Sequence, residues 1–221
     1  MKKKKNKKKL IIFIGVIIFI VLGVILVKNA KIKNIYIKGN NILSDQEIIE
    51  LAGIENYPKL FSISISKMQS KIKMNPIVSK VKIKKNIFGR IDINIEEYNM
   101  LLKDEVDNKI YLSNQIKITP DNFVYGLPSL INVVDDDVLK DFLKKLDTID
   151  KNILAKISEI EYTPNEYDKD LFLFYMNDGN YVYITTTRLS NINKYENVLQ
   201  ELNGKKGILH LDNGNHFEII E

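Results

Sequence analysis

The chain has 221 residues, 45% of them hydrophobic, with a formal net charge of +5 and no cysteine. No disulfide and no thiol chemistry is therefore open to it. Nor does the charge describe a nucleic-acid-binding domain: seven of the 33 Lys and Arg lie in residues 2–9, and the remaining 26 face all 28 Asp and Glu, which leaves the rest of the chain near −2.

Residues 1–9 form a lysine-rich tail, and residues 10–27, LIIFIGVIIFIVLGVILV, carry no charge and no polar side chain. A helix of that length spans roughly 27 Å, close to the hydrocarbon core of a bilayer. A core helix of a globular domain would show a polar stripe. The stretch is read as a single membrane-spanning helix, and the positive-inside bias puts the tail in the cytoplasm and residues 28–221 outside. A cleaved signal peptide fits less well. Its apolar region is normally shorter, and the cleavage-like Lys28-Asn29-Ala30 puts a lysine where a small residue is wanted. The basic tail should meet anionic lipid head groups.

Beyond the span, residues 31–38 alternate as a strand, with Ile35 and Ile37 on one face. Gly39-Asn40-Asn41 is a turn. Ser44 and Glu47 form a capping box, Leu43 and Ile48 supply a hydrophobic staple, and Gly53 ends the helix they start. Ser64 is the expected cap of a second helix carrying Met68 and Ile72, which stops before Pro76. Two strands follow, one through Ile77, Ser79, Val81 and Ile83 and one through Ile91, Ile93 and Ile95, joined at Lys85–Gly89. The order is strand, helix, helix, strand, strand.

That order just outside a membrane span resembles a POTRA (polypeptide-transport-associated) domain, in the version of the bacterial division proteins FtsQ and DivIB. The residues that carry the resemblance are Ile35-Tyr36-Ile37-Lys38-Gly39-Asn40, the Ser44–Ile48 helix start, Leu60-Phe61, Pro76 with Val78, and Glu97 at the end of the third strand. Relatives often continue with Arg-x-Pro, where this chain has Tyr98-Asn99-Met100. The resemblance implies an α+β protein: tail 1–9, transmembrane helix 10–27, POTRA domain 31–99, and a second mixed α/β domain, 100–221, on a mainly antiparallel sheet.

In that second region, Leu101–Val106 and Ile110–Ile118 read as strands around Asp107-Asn108. Gly126-Leu127-Pro128-Ser129-Leu130 resembles a Leu-Pro segment that crosses the second domain in relatives. Asp135-Asp136-Asp137 opens a helix with its acids at the favourable end of the dipole, and Val138, Leu139, Phe142, Leu143 and Leu146 form its buried face. A short helix at 152–156 leads to a strand at 157–162. Strands at 171–176 and 181–186 flank Asn177-Asp178-Gly179-Asn180. Arg188, at the position of an arginine common in the family, is read as a structural hydrogen-bond donor. A last helix carries Ile192, Tyr195, Leu199 and Leu202. The final strands, Ile208–Asp212 and His216–Ile220, turn at Asn213-Gly214.

Few constellations suggest chemistry. A two-residue turn at Asn213-Gly214 pairs His216 with Leu211 and His210 with Phe217, which sends the two imidazoles to opposite faces; zinc needs three or four convergent ligands. The aspartate run lacks the alternating spacing of a calcium loop. No nucleophile elbow or phosphate loop is present. No catalytic residue, cofactor or metal is expected, and no nucleic-acid partner.

The resemblance implies a non-enzymatic bitopic scaffold of the division machinery at the septum. Such a scaffold binds FtsL-like and DivIC/FtsB-like single-span proteins and helps regulate septal peptidoglycan synthesis. The alternatives are a POTRA-type secretion chaperone and a membrane-anchored cell-wall enzyme. The expected partner site is the strand containing His216, Phe217, Ile219 and Ile220. No later element is there to cover it, it carries neither lysine nor proline to blunt an edge, and the C-terminal strands of relatives dock a partner by β-augmentation.

Overall fold

The computed structural model describes residues 2–119, 126–202 and 204–220, with the side chains of residues 2–8, 26 and 27 outside that set. The chain divides into two compact units, Met1–Glu97 and Tyr98–Glu221. The near-neutral total conceals a contrast: residues 30–97 hold twelve Lys and Arg against seven Asp and Glu, and residues 98–221 hold 13 against 21, or +5 and −8.

The first unit opens with α1 (Lys2–Lys28), whose side chains from Leu10 to Ile25 are all exposed. Among the described residues no helix is long and apolar enough to cross a membrane; the expected span at 10–27 includes residues 26 and 27, whose side chains lie outside the described set. Strand β1 (Asn34–Lys38) starts later than expected, because Lys31 bridges to Lys59 and the Ile32 amide donates to Pro58 O at 3.2 Å. Then come α2 (Asp45–Ala52), α3 (Ile65–Lys73), β2 (Val78–Lys85) and β3 (Arg90–Glu97). The sheet order is β1-β3-β2, with β1 parallel and β2 antiparallel to the central strand.

Burial explains the arrangement. Ile91, Ile93 and Ile95 of β3 meet Ile48, Ala52, Met68 and Ile72 of the two helices, and Ile54 and Leu60 close the ends of this core. The other face of the sheet is polar, and there the Arg90 guanidinium lies 4.2 Å from the Tyr36 ring centre. Strand β2 departs from the expected alternation. Val78, not Ile77, is buried, and a register shift between Val78 and Lys80 restores Ile83 to the core face. The added residue of a bulge changes the phase of a strand without changing its hydrophobic content.

Among the described residues the second unit is one nine-stranded sheet with helices. Its elements are β4 (Met100–Asp104), β5 (Lys109–Leu112), β6 (Lys117–Ile118), β7 (Ser129–Leu130), α4 (Asp136–Leu146), α5 (Lys151–Leu154), β8 (Ile157–Tyr162), β9 (Leu171–Met176), β10 (Tyr181–Thr185), a 3-10 stretch (Thr186–Lys194), α6 (Tyr195–Glu201), β11 (Gly207–His210) and β12 (His216–Ile219). The strand order is β12-β11-β10-β9-β8-β7-β4-β5-β6. Strands β4, β7 and β8 run parallel, as do β10 and β11; the other neighbours are antiparallel. The core gathers Phe142, Leu143 and Leu146 of α4 against Phe172 and Phe174 of β9, with the Phe142 and Phe172 rings stacked 4.1 Å apart.

Two expected elements are broken. The strand read as 110–118 splits into β5 and β6 around Ser113-Asn114-Gln115. There the Asn114 side chain accepts from the Ile116 amide at 3.2 Å and Gln115 takes φ +68°. The last helix begins at Tyr195, and Ile192 lies in the 3-10 stretch before it. Arg188 is exposed in that stretch, and its guanidinium makes no hydrogen bond among the described residues, which corrects its reading as a structural donor.

Candidate functional site: the β12 edge

The position of β12 is built from the chain that precedes it. The β9–β10 turn places Asn180 in the interior, 1% exposed. Its Oδ1 accepts from the Gly207 amide at 3.0 Å, which ties the start of β11 to the turn. The Tyr195 hydroxyl donates to both oxygens of Asp178 at 3.0 Å, which fixes α6 to the same turn. Burial and the negative charge of Asp178 raise the Tyr195 phenol well above its ordinary value, against a hydrogen bond with Asn180 that lowers it, so the hydroxyl keeps the proton it donates to Asp178. Gly207 serves another purpose. A Cβ there would stand 1.9 Å from Glu218 O, so only glycine lets β12 lie against β11 at this point.

The register of this last hairpin corrects the expectation. His210 lies opposite His216 and Leu209 opposite Phe217, so residues 211–215 form the connection instead of Asn213-Gly214 alone. The cause is Leu211, which stays with β10: its amide donates to Tyr183 O at 2.8 Å and its side chain is buried. The two imidazoles therefore share a face and stack, with ring centres 4.5 Å apart and planes 6° apart, and the Tyr183 ring stacks on His210 at 5.6 Å. His210 Nε2 lies 3.4 Å from Glu218 Oε2. Among the described residues no group of three or more His, Asp or Glu is placed to hold a metal ion.

The four residues named for the site fall in different settings. His216, Ile219 and Ile220 are exposed, the two isoleucines at 51% and 47%. Phe217 is half-buried and packs on the core. A trough of about 300 Å³ opens beside it, between α6 and the last two strands, with Tyr195, Val198, Leu202, Leu209 and Leu211 among its lining residues. Among the described residues, strand β12 is the outermost strand of the sheet and pairs with β11 alone. The opposite edge is guarded. Strand β6 has two residues, and Lys117 on it is held by Asp104 Oδ2 at 2.8 Å and Asp107 Oδ2 at 2.7 Å, its ammonium 4.6 Å from the Tyr111 ring centre. Shortness and charge are two usual ways to protect an edge.

The structural cap residues lie in the first unit. The Ser44 hydroxyl accepts from the Glu47 amide at 3.2 Å, and the Glu47 carboxylate accepts from the Ser44 amide at 2.7 Å. Glu97, read only as a strand end, has a larger part. Its two oxygens accept from the amides of Asn41, Ile42 and Leu43 at 2.8, 2.8 and 2.9 Å, which holds the turn that feeds α2. Gly39, at φ +86°, packs so close to β3 that a Cβ would lie 2.1 Å from Ile95 O. The Gly-Asn and Glu positions are thus two sides of one contact. A carboxylate 54 to 56 residues away from its three donors leaves no local pattern to find.

The first unit, strand-helix-helix-strand-strand with this corner, defines a POTRA domain, and residues 30–98 match the family model described as POTRA domain, FtsQ-type. Over 98% of its length the chain is 31% identical to the cell division protein DivIB of Bacillus subtilis, 86% of which is covered. It is 28% identical over the same share to DivIB of Listeria monocytogenes, 85% covered. The chain belongs to the FtsQ/DivIB family of cell division proteins. Among solved structures, the major extracytoplasmic domain of DivIB from Geobacillus stearothermophilus aligns with a TM-score of 0.42 at 21% identity, over 49% of this chain and 96% of that one.

Proposed function

We propose that this protein is a non-enzymatic scaffold of the bacterial division machinery. Residues 10–27 anchor it in the cell membrane, with the tail cytoplasmic and both units outside, at the septum. Strand β12 docks a DivIC/FtsB-like single-span partner by β-augmentation. FtsL-like proteins join the same assembly, through which the protein helps regulate septal peptidoglycan synthesis.

The observation that carries this reading is the contrast between the two sheet edges. One is two residues long and closed by a doubly paired lysine. The other presents His216–Ile219 with an apolar trough alongside. Added main-chain hydrogen bonds would supply affinity, and side chains seated at the trough would supply selectivity. The anchor is supported by α1 itself, whose apolar side chains from Leu10 to Ile25 are all in contact with solvent, at a cost no water-soluble fold sustains without cover.

Capture of the DivIC-like partner by the purified external part decides the first point. Ile219→Pro removes a donor from the edge and Phe217→Asp charges the wall of the trough. Each is expected to abolish capture while circular dichroism stays that of the native protein. Undiminished capture by both folded variants moves the site elsewhere. Protease added to intact protoplasts decides the topology: the expected product is the anchor stripped of the residues beyond about 30, and survival of the large part reverses the orientation.

A further inference from the structure

We propose that the groove at the C-terminal end of α1 binds the phosphodiester head group of an anionic phospholipid. The proposal rests on the reading of residues 10–27 as a membrane anchor.

The groove, about 460 Å³, is lined by Ile25, Lys28, Asn29, Lys59, Phe61 and Ser62. Its place in the chain sets its depth. Lys28 directly follows the apolar run, so the groove falls where hydrocarbon gives way to water, at the level of lipid phosphates. Segment 59–62 is held there by several contacts. The Leu60 amide donates to Ala30 O at 2.8 Å, Lys59 bridges to Lys31, and Lys59 Nζ donates to Asn29 Oδ1 at 2.8 Å.

The lining suits one kind of ligand. Two lysines line the space and, among the described residues, no acidic residue does, while Asn29 and Ser62 add neutral polar groups. Ile25 and Phe61 supply apolar walls, with Phe61 46% exposed. A third ammonium, Lys85 Nζ, stands 5.7 Å from the Phe61 ring centre and keeps its place by donating to Leu60 O and Ile63 O. The carbonyl end of a helix opposes an anion with roughly half a charge. Here the exposed carbonyl of Ile25 accepts from both the amide and the side chain of Asn29, and two full positive charges outweigh the remainder. Positive charge, hydrogen-bonding groups and an apolar floor at the interface match an amphiphile with a phosphate, not a free ion.

The chain contains no tryptophan, so Phe61→Trp creates a single fluorescent reporter in the groove. The full-length F61W protein is reconstituted into vesicles in which phosphatidylcholine is replaced stepwise by acyl-brominated phosphatidylglycerol or acyl-brominated phosphatidylcholine. Half-maximal quenching is expected at about thirtyfold less brominated phosphatidylglycerol, the gain that two lysines near an anionic surface confer. Adding Lys28→Gln and Lys59→Gln should bring the two half-points together, and adding Lys205→Gln and Lys206→Gln in the second unit should leave them apart. The lysine tail does not contribute, since quenching reports only on lipid beside position 61. Equal half-points in F61W, or a preference that survives the Lys28/Lys59 changes, overturns the proposal. Loss of the preference in excess inorganic phosphate assigns the groove to a soluble anion and overturns the lipid. Failure of the protein to float with the vesicles overturns the anchor reading, and this proposal with it.

Discussion

The two units bound their helices by different means. In the first unit α2 and α3 begin at serines whose hydroxyls accept a main-chain amide, and α2 stops at Gly53 in the left-handed conformation, with the Gly53 and Ile54 amides on Glu50 O and Ile49 O. In the second, α4, α5 and α6 follow Asp135, Asp150 and Lys194, and none of these side chains caps its helix. There the helices are placed by burial: Phe142, Leu143 and Leu146 on α4, Ile153 and Leu154 on α5, Tyr195 on α6. A small unit has less core to spend and leans on local chemistry; the larger sheet tolerates helices whose ends are locally unsupported.

The contrast can be broken most severely at Gly39. Alanine there would combine a left-handed backbone with a collision against Ile95 O, and the loss expected in the first unit is about 3 kcal/mol or more. Hydrogen exchange should show α2 and β3 losing protection while β8–β10 keep theirs. Next comes Glu97→Ala, which removes the carboxylate from three amides. A hydrogen bond to a charged group is worth about 1.5–3 kcal/mol and the three are not additive, so a loss of about 3 kcal/mol is expected, measured by denaturant unfolding of residues 29–221.

Ser44→Ala is smaller, about 1 kcal/mol, and pH sharpens it. The Ser44 hydroxyl, and after it the Ser44 amide, hold the Glu47 carboxyl below its usual range. A lowered carboxyl contributes its stability above the pKa of the unfolded chain and loses it as pH falls through the folded value. The gap between native and Ser44→Ala proteins should therefore narrow in acid; a gap that widens there contradicts the cap. The smallest effect is expected at Asp135→Ala, below about 0.5 kcal/mol, because that residue lacks a capping bond and the Tyr162 hydroxyl that reaches it at 3.4 Å also donates to Lys169 O at 2.7 Å. A loss as large as that of Ser44→Ala would erase the distinction between the two units.

The same distinction decides what could be read in advance. Ser44, Glu47, Gly53 and Ser64 act on neighbours three or four residues away, so the order of elements after α1 in the first unit and the starts of α2 and α3 were visible in the residues themselves, whereas α1 begins at Lys2, inside the stretch read as a tail. What escaped depends on distant partners. The bulge after Val78 answers to β3, the interruption at Ser113–Gln115 to a turn inside an apparently continuous strand, and the 3-10 stretch to the packing of Leu189 and Ile192. At the β12 edge the location was legible and the register was not. Asn213-Gly214 looks like a complete turn until Leu211 is seen bonded to Tyr183, and that one attachment moves His216 from beside Leu211 to beside His210.

Strand β7 has a mechanical consequence. With only Ser129 and Leu130 it splices β4–β6 to β8–β12, flanked by bonds from the Lys103 amide to Pro128 O, the Glu105 amide to Leu130 O and the Ile131 amide to Ile160 O. The chain enters this sheet at β4, and the β12 edge lies on the other side of the splice. Tension applied between β4 and β12 crosses the sheet at this splice, where few bonds share it. Under load across the sheet it is expected to part there first, with the β4–β6 flap separating while the wider block stays whole, so a two-residue strand sets the force at which the two parts of the sheet separate.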